Sequence, residues 1–237
     1  MSQRESKAVE QNGPTGSRSP ARRILRIVPS CVALAMLIPF AANDQLRFQY
    51  MQTVSHYVAK VVAPRLVFLG DSNTAGGGNW GWRVLGNPIS AINLGASNYT
   101  IRQVAFMVPR AVEYRPSVVV IMAGTNDILA NHASVEQIRR DFDFLMDALG
   151  RAHEKSIVTL IPLSSEARFT PEIEAANAVI REITTRHGAA VIDLNSFIAA
   201  GGRLEPEMTV DGVHLSAKSL NIWADQIGRT LAAMNTP

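Results

Sequence analysis

Five short, predominantly apolar runs, set apart by longer amphipathic stretches, constrain this chain more than anything else in it. They fall at residues 66–69, 91–94, 118–122, 157–161 and 190–193. An unbroken run of this length fits a strand buried on both faces, whereas a strand with one wet face alternates apolar and polar residues. Helical spacing is predicted between them, over 99–114, 134–153 and 171–187, with a last helix after Ser216. Strand and helix alternating in this way imply a parallel sheet covered on both sides. The expected body is one domain, 65–237, folded as a three-layer α/β/α sandwich around a five-stranded parallel sheet. In such sheets the chemistry collects on loops at the carboxyl ends of the strands.

The region before residue 65 is of another kind. Residues 1–26 carry six basic side chains against Glu5 and Glu10, and with the Gly/Pro/Ser-rich stretch 11–20 they read as a disordered basic tail. Residues 27–43 are free of charge and follow Arg22, Arg23 and Arg26, the pattern of a signal anchor or signal-peptide core. This run is at the short edge for a membrane span, which needs about 20 residues. Cleavage fits poorly, because a cut after Ala42 or Ala41 leaves Phe40 or Pro39 at the −3 position. A buried helix of the body is the other reading of the run. Residues 44–64 place Leu46, Tyr50, Val54, Tyr57 and Val61 at helical spacing, as a linker, a stalk or a segment packed on the domain. With the arginines held inside, the body would lie outside the cytoplasm, in the periplasm or at the cell surface.

Composition then removes several classes. The whole chain has net charge +3, and the tail accounts for it, so the body offers no basic surface for nucleic acid. The lone Cys31 excludes a disulfide scaffold and a cysteine-based zinc site. His56, His132, His153 and His187 lack metal-ligand spacing, so neither metal nor cofactor is expected.

The carboxyl ends of the strands hold an unusual set of residues. The first run leads into Gly70-Asp71-Ser72, the second into Gly95, the third into Gly124-Thr125-Asn126-Asp127, and the last helix is preceded by Asp211-Gly212-Val213-His214. A hydroxyl nucleophile needs a base within hydrogen-bond reach, an acid to orient that base, and donors where negative charge develops. Ser72, His214 and Asp211 can supply the first three, and Gly95 and Asn126 can supply donors. Asp193 competes as the acid because it also ends a strand. Asp211 is preferred because three residues of chain restrict how far it can lie from His214. Each short motif also has an ordinary reading. Asp71 or Ser72 could cap a helix, His214 could pack against the sheet, and Asp127 reads as a structural acceptor.

Taken in order, these four blocks resemble those of the SGNH hydrolases, the GDSL-type esterase and lipase superfamily, across essentially the whole body. The resemblance implies a flavodoxin-like SGNH fold, Ser72 as nucleophile, and Asp211 and His214 as its partners. It also implies an oxyanion hole formed by the Ser72 and Gly95 N–H groups and the Asn126 amide. Two positions depart from the family pattern: Asn73 replaces the usual leucine, and Asn98 stands where glycine is frequent. Both are read as affecting substrate fit more than catalysis.

Gly-x-Ser-x-Gly is absent at Ser72 and Ser97, which disfavours an α/β-hydrolase elbow, and Gly76-Gly77-Gly78 lacks the lysine of a P-loop. The three glycines read as a mobile loop beside the nucleophile. Trp80 and Trp82 read equally as pocket lining or as packing of the first helix. The expected activity is ester hydrolysis through an acyl-enzyme, favoured for acetyl groups on carbohydrate or cell-envelope polymers. Lysophospholipid or thioester hydrolysis, acyl transfer to a sugar alcohol, and a silent membrane-tethered binding module are the alternatives.

Overall fold

A computed structural model describes Tyr57 and residues 63–234. The readings of residues 1–26 and 27–43, and of 44–62 apart from Tyr57, fall outside the described residues. Among the described residues no helix is long and apolar enough to cross a membrane.

Five strands form one parallel sheet: β1 (Leu66–Gly70), β2 (Ala91–Asn93), β3 (Val118–Met122), β4 (Ser156–Thr159) and β5 (Ala190–Ile192), in the order β2-β1-β3-β4-β5. β1 and β3 pair along their full length, from Leu66 with Val118 to Gly70 with Met122, and every residue of both is buried. That double burial is what the unbroken apolar runs encode.

The crossovers fix the layers. The chain moves from β1 leftward to β2, then back over β1 to β3 and onward to β5. Right-handed connections therefore send helices to opposite faces of the sheet. Helix α1 (Ser72–Gly76) and α2 (Trp80–Leu85) follow β1, and α3 (Ile101–Phe106) and α4 (Val108–Glu113) follow β2. After β3 come α5 (Thr125–Leu129) and α6 (Val135–Arg151), and α7 (Thr170–Arg186) follows β4. α8 (Asn195–Ile198) and α9 (Ala217–Met234) close the chain. α3, α6 and α7 pack in series on one side, while α2 and α9 pack together on the other. Strand order reverses between β1 and β3, and the crevice at that switch point is where such sheets place their ligands.

The single helix expected over 99–114 is two. Thr100 and Gln103 cap the start of α3 reciprocally, and α4 begins after Met107 with Pro109 in its first turn. Proline has no N–H to continue the ladder of α3, so the helix stops and restarts. The fourth strand starts one residue earlier than its apolar run and ends earlier. Beyond it, Asn177 of α7 takes over the backbone of Ile161, accepting its N–H at 2.8 Å and donating to its carbonyl at 2.9 Å.

Candidate active site

The Ser72 region is built into the core. Ser72 opens α1 immediately after β1, and the preceding Asp71 caps the helix through an N–H bond from Asn73 to its Oδ1 at 3.0 Å. An N–H in the first turn of a helix has no intrahelical acceptor, so the Ser72 amide is suited to a bound oxyanion. Below the helix lies Trp80, 1% exposed, stacked on Phe68 at 4.7 Å and meeting Trp223 of α9 edge-on at 4.6 Å. Its indole N–H donates to the Thr74 carbonyl at 2.9 Å. Trp80 is thus core support for α1, while Trp82 is 65% exposed.

The glycine turn is not the loose loop the sequence suggested. Asn93 Nδ2 donates to the carbonyls of Thr74 and Gly78, each at 3.1 Å, and the Arg83 Nε–H donates to Gly77 at 2.7 Å. Glycine is required here for close packing: a Cβ on Gly77 would lie 2.0 Å from the Trp80 ring.

His214 arrives on a separate loop, residues 209–215, closed by an isolated antiparallel bridge between Thr209 and Leu215. Asp211 Oδ1 accepts the N–H groups of Val213 at 3.0 Å and His214 at 2.8 Å, winding the turn around its own carboxylate. Thr209 Oγ1 accepts the Gly212 N–H and donates to the His214 carbonyl, both at 2.8 Å. In that frame His214 Nδ1 donates to Asp211 Oδ2 at 2.6 Å, and Ser72 Oγ donates to His214 Nε2 at 3.0 Å. Asp193 bonds Arg181 instead, at 2.6 Å.

This relay, reached across 142 residues of chain, is the arrangement a serine nucleophile needs. The chain matches the GDSL-like Lipase/Acylhydrolase family over residues 68–219. It belongs to that family.

A GDSL-like lipase from Bacteroides thetaiotaomicron has a similar structure, with 20% identity and a TM-score of 0.66 over 79% of this chain and 99% of its own. So do a carbohydrate esterase family 3 protein from Talaromyces cellulolyticus (20% identity, TM-score 0.57, 72% and 97%) and a catalytic mutant of an acetylxylan esterase from Geobacillus stearothermophilus (18%, 0.57, 69% and 92%). At these identities the likeness is one of fold. No curated protein matches the chain. Family membership makes this GDSL-like acylhydrolase a carboxylic ester hydrolase.

The other two candidate donors, Asn126 and Gly95, are arranged less simply. Asn126, in the first turn of α5, donates one amide hydrogen to the Tyr99 carbonyl at 3.0 Å, leaving its second for a ligand. Gly95 lies against α1, where a Cβ would stand 2.4 Å from the Ala75 nitrogen. Its N–H, however, already donates to Asn93 Oδ1 at 2.9 Å. It can therefore serve an oxyanion only as a shared donor.

Electrostatics separate the three aspartates near Ser72. The backbone N–H of His214, then its ring and the Val213 N–H, hold Asp211 down to about 2, so it stays ionised beside the imidazole. Burial pushes Asp71 up to about 6, against the Asn73 N–H and the Thr125 hydroxyl, which pull it down. Burial likewise pushes Asp127 up to about 6, where its carboxylate accepts the Ile101 N–H at the start of α3.

Asn98 adopts a left-handed φ of 63°, which asparagine tolerates better than most side chains. Asn73 is 2% exposed with its side chain turned into the protein, so it corrects the expectation that it shapes substrate fit. Thr209 and Asn93 were not singled out by sequence. The only signals were Thr209 standing two residues before the acid and Asn93 ending a strand two residues before the key glycine. His132, His153 and His187 are exposed and dispersed, and among the described residues no group of three or more His, Cys, Asp or Glu could hold a metal ion.

Proposed function

We propose that this protein is a serine esterase that works through a Ser72 acyl-enzyme and removes short acyl groups, acetyl above all, from carbohydrate or cell-envelope material outside the cytoplasm. The Ser72–His214–Asp211 relay carries the reading. Ser72 Oγ attacks the ester carbon while His214 Nε2 takes its proton. The carbonyl π electrons move onto oxygen, facing the Asn126 amide and the Ser72 and Gly95 N–H groups. His214 then returns the proton to the departing alcohol, and the tetrahedral adduct collapses to the acyl-enzyme. Water, deprotonated by His214, attacks the acyl carbon, and His214 returns that proton to Ser72 Oγ as the acid departs and the enzyme is restored. Asp211 remains an anion throughout, fixing the imidazole tautomer and stabilising the imidazolium.

The acetyl and carbohydrate preference rests on two supports. Two of the similar structures are named a carbohydrate esterase and an acetylxylan esterase. His214 and Asp211 are also 44% and 51% exposed in their side chains, an open setting suited to a bulky polymer. The basic flank and uncharged run at 22–43 support tethering or export.

The deciding experiment compares the full chain and its Ser72→Ala variant on p-nitrophenyl acetate, butyrate, octanoate and palmitate, and on acetylated xylan. Hydrolysis of acetate and acetylxylan that disappears in the variant is the expected result. Preference for octanoate or palmitate would replace carbohydrate by lipid as the substrate, and activity surviving Ser72→Ala would overturn the nucleophile.

A further inference from the structure

Two pieces of the site come from opposite ends of the domain and must meet within hydrogen-bond distance. The bonds of Thr209 and Asp211 lie inside the 209–215 loop and set its shape, not its place. On the far side the loop is held by Ser164 Oγ and the Ser165 N–H, both donating to the Gly212 carbonyl at 3.2 and 2.9 Å. Neither group touches the nucleophile helix.

Asn73 makes that connection. It leaves the first turn of α1 one residue after Ser72. Its Oδ1 accepts the buried Leu215 N–H at 2.8 Å, and its Nδ2 donates to the Val213 carbonyl at 3.5 Å. Those two backbone groups sit on either side of His214. A single amide, itself 2% exposed, thus grips the base's backbone from both flanks and refers it to the helix that carries the nucleophile.

We propose that Asn73 is a positioning residue that fixes the Ser72–His214 distance by clamping the backbone around the base; this rests on reading Ser72 and His214 as nucleophile and base. Leucine has the same branched shape and the same number of side-chain heavy atoms but is larger and has no polar atom, so it would leave the Leu215 N–H buried without a partner and free the loop to drift. A small misplacement of this kind costs turnover and leaves ground-state binding alone.

The test uses the full chain with Asn73→Leu, Asn73→Asp and Asn73→Ala beside wild type and Ser72→Ala. The first readout is the rate at which a fluorophosphonate labels Ser72, which reports nucleophile activation whatever the natural ester. The second is the split between kcat and KM on p-nitrophenyl acetate, and the third is Tm. Asn73→Leu should slow labelling and kcat about 10- to 100-fold with KM changed less than about twofold. Asn73→Asp keeps the acceptor for Leu215 and should recover most of the loss. Asn73→Ala removes both bonds without adding a branched side chain, and carries the same expectation should the leucine variant fail to fold. Labelling within about twofold of wild type, a loss confined to KM, or an Asn73→Asp variant no better than Asn73→Leu would each overturn the proposal. Wild type that resists labelling would overturn the Ser72 reading itself, whereas wild type labelled and Ser72→Ala silent leaves that reading standing and the Asn73 variants decide.

Discussion

The two halves of the relay are held in place by different physics. Around Ser72, position comes from burial: a strand with every residue covered, an indole stacked on Phe68 and met edge-on by Trp223, and a glycine turn whose carbonyls are held from Asn93 and Arg83. Around His214, position comes from a short circuit of hydrogen bonds among Thr209, Asp211 and their own backbone, on a loop half open to solvent. A nucleophile set by the core moves only if the core moves. A base set by local polar contacts can be displaced by one side chain while the fold stands. Substitutions on the two sides should therefore separate activity from stability.

The largest separation should come from Asp211→Asn. The amide keeps the turn but presents an N–H to the imidazole in place of an anion, so kcat should fall about 10³- to 10⁴-fold with little change in Tm. A parallel collapse of Tm would erase the distinction. Trp80→Ala should do the reverse, destabilising the fold by about 3–5 kcal/mol in denaturant titration, with activity lost along the unfolding curve.

Asp71→Asn probes the buried side by pH. A carboxyl raised in the folded state to about 6 lends stability below its ordinary value of 3.8 and loses it as pH rises through 6. The variant's stability advantage over wild type, read by denaturant titration, should therefore be small near pH 4 and grow towards pH 8, reaching up to about 3 kcal/mol. Asp127, also raised to about 6, remains in the variant, so part of the wild-type pH slope should persist. A pH-independent difference would mean that Asp71 is ionised in the fold at no cost. The smallest effect belongs to Thr209→Val, which removes one link of the loop circuit: kcat should drop about 3- to 10-fold with Tm nearly unmoved.

Legibility in the sequence follows the same divide. β1 and β3 could be read directly because burial on both faces leaves an unbroken apolar run, and the order of the blocks pointed to Ser72, Asn126 and His214. The choice of Asp211 over Asp193 followed from three residues of chain. Elements fixed by single polar contacts were not legible. Asn73 looked like a substrate-facing departure because nothing in a sequence shows which way a side chain turns. Gly76–Gly78 looked loose because the side chain that holds Gly78, Asn93, lies fifteen residues away. The commitment of the Gly95 N–H to Asn93 was hidden for the same reason: an asparagine at a strand end carries no periodicity.

Trp80 has one more consequence. It is one of three indoles in the chain; two of them, Trp80 and Trp223, meet in the interior, and the third, Trp82, stands in solvent. The interior pair touches the helix that bears Ser72 through the Thr74 carbonyl. Intrinsic fluorescence therefore divides into a quencher-accessible component from the surface ring and a shielded, blue-shifted component from the pair. The shielded component gives an optical signal of the state of the nucleophile helix that needs no substrate and no label.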